Sequence, residues 1–183
     1  MQDDFDIKKL VTDKKKKTNS RTKGNTFERK VCKLLNTYFQ TSDFMRSPGS
    51  GAFSNTHNLP DYLKFSGDLI TPKNFKYTIE CKKGYNKENI GSIFNIKSDI
   101  INFIKQAESD ARKIQKNFLL IFQQDRKEIL CLFNEQQSPI LSGYAESKDS
   151  LILKILGSKY IICRLEDLLE TTKNFNALHL WRS

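Results

Sequence analysis

The sequence predicts an α/β fold in which a mixed β-sheet is flanked by helices. Two segments, near residues 27–38 and 100–114, repeat apolar residues at the spacing of an amphipathic helix. Short apolar runs of strand length follow each of these segments, and Gly, Pro and Asn mark the turns between the runs. The order of helix, strands, helix and strands is typical of a mixed sheet with helices on its faces.

The first helix is predicted to begin near Gly24–Asn25–Thr26, with Asn25 or Thr26 as its N-terminal cap. Its apolar face consists of Phe27, Val31, Leu34, Leu35 and Tyr38. The stretch RSPGSGAFSNTHNLP, residues 46–60, then has two Pro, two Gly and several Ser and Asn, which predicts a loop.

FSGDLI and FKYTIECKK are predicted to be two strands joined by a turn at Pro72–Lys73–Asn74. A second helix is predicted in KSDIINFIKQAESDARKIQ, and its apolar face consists of Ile100, Phe103, Ile104, Ala107, Ala111 and Ile114. NFLLIFQQ and EILCLF are strand candidates. SLILKILGSKYIICRL predicts a strand pair that turns at Gly157–Ser158, and LEDLLETTK a short last helix.

The chain is strongly basic, and its length of 183 residues suits one domain. It carries 31 Lys and Arg against 21 Asp and Glu, a formal net charge of +10. Residues 1–23 are rich in Lys and poor in large apolar residues, so we expect a flexible basic arm before a single domain at 24–183. Nucleic acid is the first candidate partner, because basic contacts to phosphates release counterions. An anionic membrane surface is the second, and a charge that only maintains solubility is the alternative.

Neither a membrane span nor a metal-binding cysteine motif is predicted. No apolar run reaches the roughly 18 residues that a span requires, and the N-terminus lacks the apolar core of a signal peptide. Cys32, Cys81, Cys131 and Cys163 lie far apart in apolar patterns, which is typical of small buried residues in a reducing compartment. We therefore expect a soluble, cytoplasmic protein. The low Gly and Pro content and the high Lys, Asn and Ile content suit an AT-rich bacterial or phage source, and hence a bacterial or phage-infected cytoplasm.

An acidic and basic cluster is predicted where the two central strands meet. Because side chains alternate along a strand, Glu80 and Lys82 share one face of KYTIECK, opposite Tyr77, Ile79 and Cys81. Asp68 can lie beside Glu80 if the two strands pair. Two adjacent carboxylates repel each other unless a cation separates them, and hard oxygen ligands favour Mg²⁺ or Mn²⁺. Such a metal site beside a lysine suits phosphodiester hydrolysis by a metal-activated water. The alternative is an ordinary ion pair on a solvated face.

In order and spacing, NTFERKVCKLL, RSPGSGAF, GDLI, IECKK and FIKQAESDA resemble the PD-(D/E)xK nuclease superfamily, and within it Holliday-junction resolvases and related phage endonucleases. The resemblance covers roughly residues 24–123. It implies a restriction-endonuclease-like αβββαβ core. It also implies that Asp68, Glu80 and the Cys81 carbonyl are metal ligands, Lys82 the catalytic lysine, and Glu28 a further ligand, directly or through water. Gln106 would border the site, or alternatively face water.

The resemblance also concerns the loop and the residues that would contact DNA. Arg46, Ser47, Gly49, Ser50 and Gly51 resemble a mobile segment that contacts phosphate, with a plain flexible linker as the alternative, and Lys83 is a further candidate DNA contact. A literal Pro60–Asp61 occurs in the loop. Asp68 is preferred to Asp61 as the metal ligand because it leads into the strand pair.

The resulting prediction is a Mg²⁺-dependent DNA endonuclease in which Mn²⁺ can substitute for Mg²⁺. The resemblance implies 5′-phosphate and 3′-hydroxyl products, a four-way junction as substrate, and a homodimer to cut two symmetric strands. One alternative is a restriction- or repair-type nuclease that acts on linear or damaged duplex. The others are a non-catalytic DNA-binding protein with a degenerate site and a basic RNA-binding module.

Overall fold

A seven-stranded mixed sheet with four helices forms the described part of the protein. The structure, a computed structural model, describes residues 19–47, 67–87, 98–146, 148–155, 157–174 and 181. In chain order the elements are α1 Ser20–Phe39, β1 Met45–Arg46, β2 Leu69–Ile70, β3 Tyr77–Lys83, α2 Asp99–Lys113, β4 Asn117–Gln123, β5 Leu130–Asn134, α3 Pro139–Glu146, β6 Ser150–Ile155, β7 Ser158–Arg164 and α4 Leu165–Asn174. The first six follow the order αβββαβ, so the predicted core is confirmed.

The strands lie in the order β1-β2-β3-β4-β5-β7-β6. Only β3 and β4 are parallel neighbours, and α2 connects them, whereas the other pairs are antiparallel. The β2–β3 pair places Leu69 opposite Ile79 and turns at Lys73–Asn74, as predicted. The β6–β7 turn lies one residue earlier than predicted, because Ile155 pairs with Ser158 and Gly157 takes the left-handed backbone, φ +84°.

Helix α1 begins four residues earlier than predicted. Asn19 caps it by accepting a hydrogen bond from the Arg21 N–H at 3.1 Å. Asn25 lies inside the helix instead, and its side chain accepts a hydrogen bond from Arg46 of β1. The predicted cap was wrong because polar residues favour both caps and tertiary contacts. Residues 20–23 of the predicted arm thus belong to α1, and residues 1–18 lie outside the described residues.

Two further elements were not predicted. Arg46, which the sequence placed in a loop, lies in β1, where it pairs with Leu69 of β2. Helix α3 contains a Pro and a Gly, which are typical of loops, but Pro is well tolerated in the first turn of a helix. Leu141 and Ala145 bury the inner side of this helix.

Helices cover the two faces of the sheet unequally. On one face, α1, α3, α4 and Trp181 pack on a large apolar core that contains the buried side chains Tyr77, Ile79 and Cys81. On the other face, apolar side chains of α2 pack with apolar side chains of the strands in a smaller core. All four cysteines are buried and reduced, and Cys131 and Cys163 face each other across β5 and β7. No helix among the described residues has the length and apolarity to cross a membrane.

Trp181 closes the larger core. Its side chain is fully buried and its ring stacks on Phe75 at a centroid distance of 6.1 Å. Its indole N–H donates to the Thr172 hydroxyl at 3.3 Å. The residue thus joins the turn before β3 to helix α4.

We expect Trp181→Ala to lower the free energy of unfolding by about 3–5 kcal/mol, because it leaves a large cavity among aromatic rings. Urea denaturation measures this change. Ile140→Ala, at an exposed position of α3, is the matched control and should stay within about 0.5 kcal/mol of wild type. Equal stability of both variants would show that Trp181 does not support the core.

Candidate active site

Glu80 lies on a buried face of β3. Its side chain points towards α2, and the residue is only 5% exposed. An isolated buried carboxylate is costly, and Glu80 is paired with the Lys82 ammonium, whose Nζ lies 2.6 Å from Glu80 Oε1. The alternative of an ion pair on a solvated face therefore does not describe this strand.

Asp68 is fixed against the same strand by both its backbone and its side chain. Its N–H donates to the Ile79 carbonyl at 2.9 Å, and its Oδ2 accepts a hydrogen bond from the Cys81 N–H at 2.8 Å. It is 8% exposed. Asp61, the alternative acid, lies outside the described residues.

Gly67 makes this approach of Asp68 to β3 possible. It has φ +93°, and a Cβ at this position would lie 2.6 Å from the Ile79 carbonyl oxygen. No other residue fits such a contact without a backbone shift. The glycine of the GDLI motif therefore sets the position of the acid that follows it.

Cys81 can take part in the site only through its backbone. Its side chain belongs to the core on the opposite face, where burial raises the pKa of the thiol well above its ordinary value. The N–H and C=O of one residue in a strand point to the same edge. Because the Cys81 N–H reaches Asp68, the Cys81 carbonyl is directed to the edge where Asp68 lies.

Lys82 is held between the acids and helix α2. Its Nζ lies 3.3 Å from Gln106 Oε1 and 5.1 Å from the centre of the Phe103 ring. Burial acts to lower the pKa of Lys82, but the charges of Glu80 and Asp68 raise it above its ordinary value. The lysine is therefore a stable cation beside these acids, which favours a role in balancing charge over a role as a base.

The two carboxylates are destabilised in their ionised forms. Burial, and then the charge of Asp68, raises the pKa of Glu80 to about 7, although Lys82 acts in the opposite direction. Burial also raises the pKa of Asp68, and the charge of Glu28 raises it further. The hydrogen bond from the Cys81 N–H acts to lower this pKa. A further cation at this position would relieve the repulsion.

Glu28 reaches the site from α1 but is held by Arg46. The Arg46 Nε donates to Glu28 Oε2, and its Nη2 donates to Asn25 Oδ1 at 2.9 Å. Glu28 is buried. Arg46, a predicted phosphate contact, is thus engaged by an acid in this state.

The remaining predicted DNA contacts are placed in part. Ser47 is buried, and its N–H donates to the Asp68 carbonyl at 2.9 Å. Lys83 lies 3.1 Å from the Gln124 carbonyl and 3.5 Å from Asp125. Gly49, Ser50 and Gly51 lie outside the described residues.

A cleft of about 550 Å³ borders Asp68 and Lys82, but Glu80 is not among its lining residues. Its lining residues include Glu28, Asp68, Cys81, Lys82 and Lys83, together with Lys23, Tyr85, Asn86 and Asp125, which were not predicted. Asp125 lies 3.4 Å from Lys23 and accepts a hydrogen bond from Asn86 at 3.0 Å. Gly84, directly after the IECKK strand, indicates a turn at the end of the strand, and functional groups are common in such turns. No sequence pattern indicates that Asp125 would contact this turn.

The cleft offers few protein ligands for a metal ion. Among the described residues, no three side chains of His, Cys, Asp or Glu are grouped to hold one. Mg²⁺ commonly keeps several waters and binds through one or two carboxylates. Asp68 and Glu80, with the Cys81 carbonyl, therefore fit a hydrated divalent cation, and Glu28 would first have to leave Arg46 or act through water.

We expect Gly67→Ala to destabilise the protein by about 2–4 kcal/mol, because the new methyl group meets the Ile79 carbonyl and the backbone is left-handed. Gly143→Ala in α3 is the matched control. A Cβ there meets nothing within 4 Å, so this variant should be neutral or gain up to about 1 kcal/mol. Urea denaturation measures the free energy of unfolding of both variants. Equal changes in the two variants would contradict the conclusion that Gly67 sets the position of Asp68.

We expect Glu80→Gln to be more stable than wild type in EDTA at about pH 8, by on the order of 2 kcal/mol, and equal to it near pH 4. The pKa of Glu80 is raised in the folded protein, so its stabilising contribution is complete below its ordinary value of 4.5 and is lost as the pH rises through about 7. Thermal or urea unfolding at both pH values measures the difference. Glu170→Gln, on the exposed side of α4, should show no such dependence, and a pH-independent gain in Glu80→Gln would refute the prediction.

Comparison with known proteins identifies the family. The family described as "Phage putative PDDEXK endonuclease" matches residues 19–179, most of the chain. No curated protein and no solved structure matches the chain. The matched range includes α1, the β2–β3 pair with Asp68 and Glu80, and α2. The chain therefore belongs to this phage PDDEXK endonuclease family, within the PD-(D/E)xK nuclease superfamily.

Proposed function

We propose that the protein is a Mg²⁺-dependent, structure-specific DNA endonuclease, with a four-way junction as its substrate. The observation that carries the proposal is that buried Asp68 and cationic Lys82 line one open cleft, while the buried carboxylate of Glu80 pairs with the same Lys82. Membership of an endonuclease family supports the chemistry, and the net charge of +10 supports a polyanionic substrate.

Asp68, Glu80 and the Cys81 carbonyl would hold the cation. A bound Mg²⁺ supplies a Lewis acid for the phosphoryl oxygen and lowers the pKa of a coordinated water. Glu28 would contribute through water, because Arg46 occupies its carboxylate in the described state. Mn²⁺ has the same preference for oxygen ligands and should substitute for Mg²⁺.

Lys82 would stabilise the negative charge that develops on the scissile phosphate. Its raised pKa keeps the ammonium charged, and Gln106 and Phe103 limit its movement. A fixed cation aimed at developing charge requires no reorganisation during the reaction. Lys83 and Lys23, at the mouth of the cleft, would contact neighbouring phosphates once these displace Asp125.

The junction substrate and a homodimer rest on the resemblance to Holliday-junction resolvases. Two symmetric cuts require two sites related by a two-fold axis. Cutting of linear duplex instead would keep the site and favour a restriction- or repair-type endonuclease.

We expect Glu80→Gln, Asp68→Asn and Lys82→Ala each to lower the cleavage rate by about a hundredfold or more, because each removes a group that holds the cation or balances charge. DNA binding should persist. The assay uses labelled four-way junction, linear duplex, single-stranded DNA and RNA, with Mg²⁺, Mn²⁺ or EDTA.

Glu170→Gln and Lys173→Ala, both exposed on α4, are the matched controls and should cut at the wild-type rate. Paired symmetric nicks on the junction alone would support the full proposal. Tight binding without cutting of any substrate in either metal would leave a non-catalytic DNA-binding protein and overturn it.

A further inference from the structure

A second cavity, of about 540 Å³, lies on the face of the sheet that α2 covers. Its apolar lining consists mainly of Phe103, Leu120, Phe122, Leu130 and Ile162. The cavity exists because α2 packs over β3 and β4, whereas the sheet continues through β5, β7 and β6 beyond the helix. Apolar walls of this size are usually covered by a ligand or a partner.

This cavity adjoins the candidate active site. Lys82, Gly84 and Tyr85 line both the cavity and the cleft that contains Asp68. A nucleotide whose phosphate lies at Lys82 therefore has its next part beside Tyr85 and the cavity. This proximity favours a second part of the same substrate as the occupant.

Tyr85 stands at the boundary between the two spaces in an unusual conformation. It is 44% exposed and has φ +54°, directly after Gly84 with φ +101°. Bulky residues rarely adopt a left-handed backbone, and such outliers cluster at functional sites. Hydrogen bonds hold the backbone on both sides, because the Gly84 N–H donates to the Gln123 carbonyl at 3.0 Å and Gln124 Nε2 donates to the Tyr85 carbonyl at 3.2 Å.

The Tyr85 ring is oriented by one aromatic contact. The Tyr85 and Phe103 rings meet in an edge-to-face arrangement, at a centroid distance of 4.6 Å and an interplanar angle of 71°. The loop thus presents an exposed aromatic side chain beside the Lys82 ammonium, and Phe103 supports both groups. An exposed aromatic surface beside cationic side chains is a typical platform for an unstacked nucleobase.

We propose that this cavity binds one nucleobase flipped out of the DNA strand that is held at Asp68, Glu80 and Lys82, with Tyr85 as its stacking platform. The inference rests on the proposed nuclease function and specifies its substrate. The apolar walls suit the faces of a base. Lys82 and Lys83, which line the adjoining cleft together with Tyr85, suit the attached phosphates.

A base inside a continuous duplex is stacked and paired, so its entry costs free energy. The cost is least for a base that is already unpaired. The cavity therefore favours DNA with an unpaired or unstacked base near the cut over continuous duplex. Bulges and gaps supply unpaired bases, and stacking is interrupted at a branch point.

The test compares the full-length protein with Tyr85→Gly and Tyr85→Phe on two duplexes of equal length, one continuous and one with a single extrahelical 2-aminopurine. Glycine suits the left-handed backbone, so Tyr85→Gly removes the ring without straining the backbone. Measured in EDTA, the dissociation constant for the bulged duplex should rise about tenfold in Tyr85→Gly, stay near wild type in Tyr85→Phe, and not change for the continuous duplex.

The fluorescence of 2-aminopurine reports stacking directly. It should be quenched on binding to wild type and Tyr85→Phe, but not on binding to Tyr85→Gly. Ile140→Ala, on the opposite side of the sheet, is the control and should behave as wild type. Equal affinity of wild type for both duplexes, equal weakening of both in Tyr85→Gly, or no quenching would each overturn the proposal. So would concentration-dependent self-association that Tyr85→Gly abolishes, because a second copy would then occupy the cavity.

These outcomes are separate from those of the cleavage assay. Quenching and discrimination without cutting of any DNA would retain the base site and refute the nuclease. Normal cutting with no effect of Tyr85→Gly on binding or fluorescence would retain the nuclease and refute the base site.

Discussion

The hydrogen bonds of Asp68 are the constraint on which the candidate site depends. Its carbonyl accepts a hydrogen bond from the N–H of Ser47, which directly follows β1. Its N–H donates to the Ile79 carbonyl of β3, and its carboxylate accepts from the Cys81 N–H of the same strand. One residue therefore joins three strands and also supplies the acid. Any change that moves β2 relative to β3 also moves the carboxylate, so the hairpin and the chemistry cannot vary independently.

Charge within the site is balanced in pairs rather than overall. Lys82 neutralises Glu80, and Arg46 neutralises Glu28, while Asp68 relies on a backbone N–H. Burial is the largest cause of the raised pKa values of Asp68 and Glu80, and the charge of a neighbouring acid adds to each. The ionised carboxylates are therefore costly in this otherwise strongly basic protein, and the cation that we propose would lower that cost.

Most of the fold could be predicted from sequence because apolar periodicity follows burial. The faces of α1 and α2, the strand β3 and the last hairpin were predicted for this reason. The start of α1 and the helix α3 were not, because Asn19 and Asn25 carry the same local signal, and Pro139 and Gly143 suggest a loop. Local composition does not reveal which of two polar residues finds a tertiary partner.

The site shows the same division. Alternation along β3 places Glu80 with Lys82, and the hairpin brings Asp68 to them, so these positions follow from the sequence. The pairing of Arg46 with Glu28, and the approach of Asp125 to Lys23 and Lys83, join residues 18 to 102 positions apart. Such contacts depend on how α1 and the β4–β5 turn pack, which no short pattern encodes.

The position of Cys81 has a consequence for the middle residue of the motif. It lies between the acid and the lysine in sequence, yet its side chain faces the opposite core, and only its backbone reaches the site. Under the proposed function, the chemistry would constrain its two neighbours, whereas the volume of the core constrains Cys81 itself. Another small apolar residue that fills the same space would therefore leave the backbone contact with Asp68 in place, so the middle position of the motif is determined by the packing of α1 against the sheet.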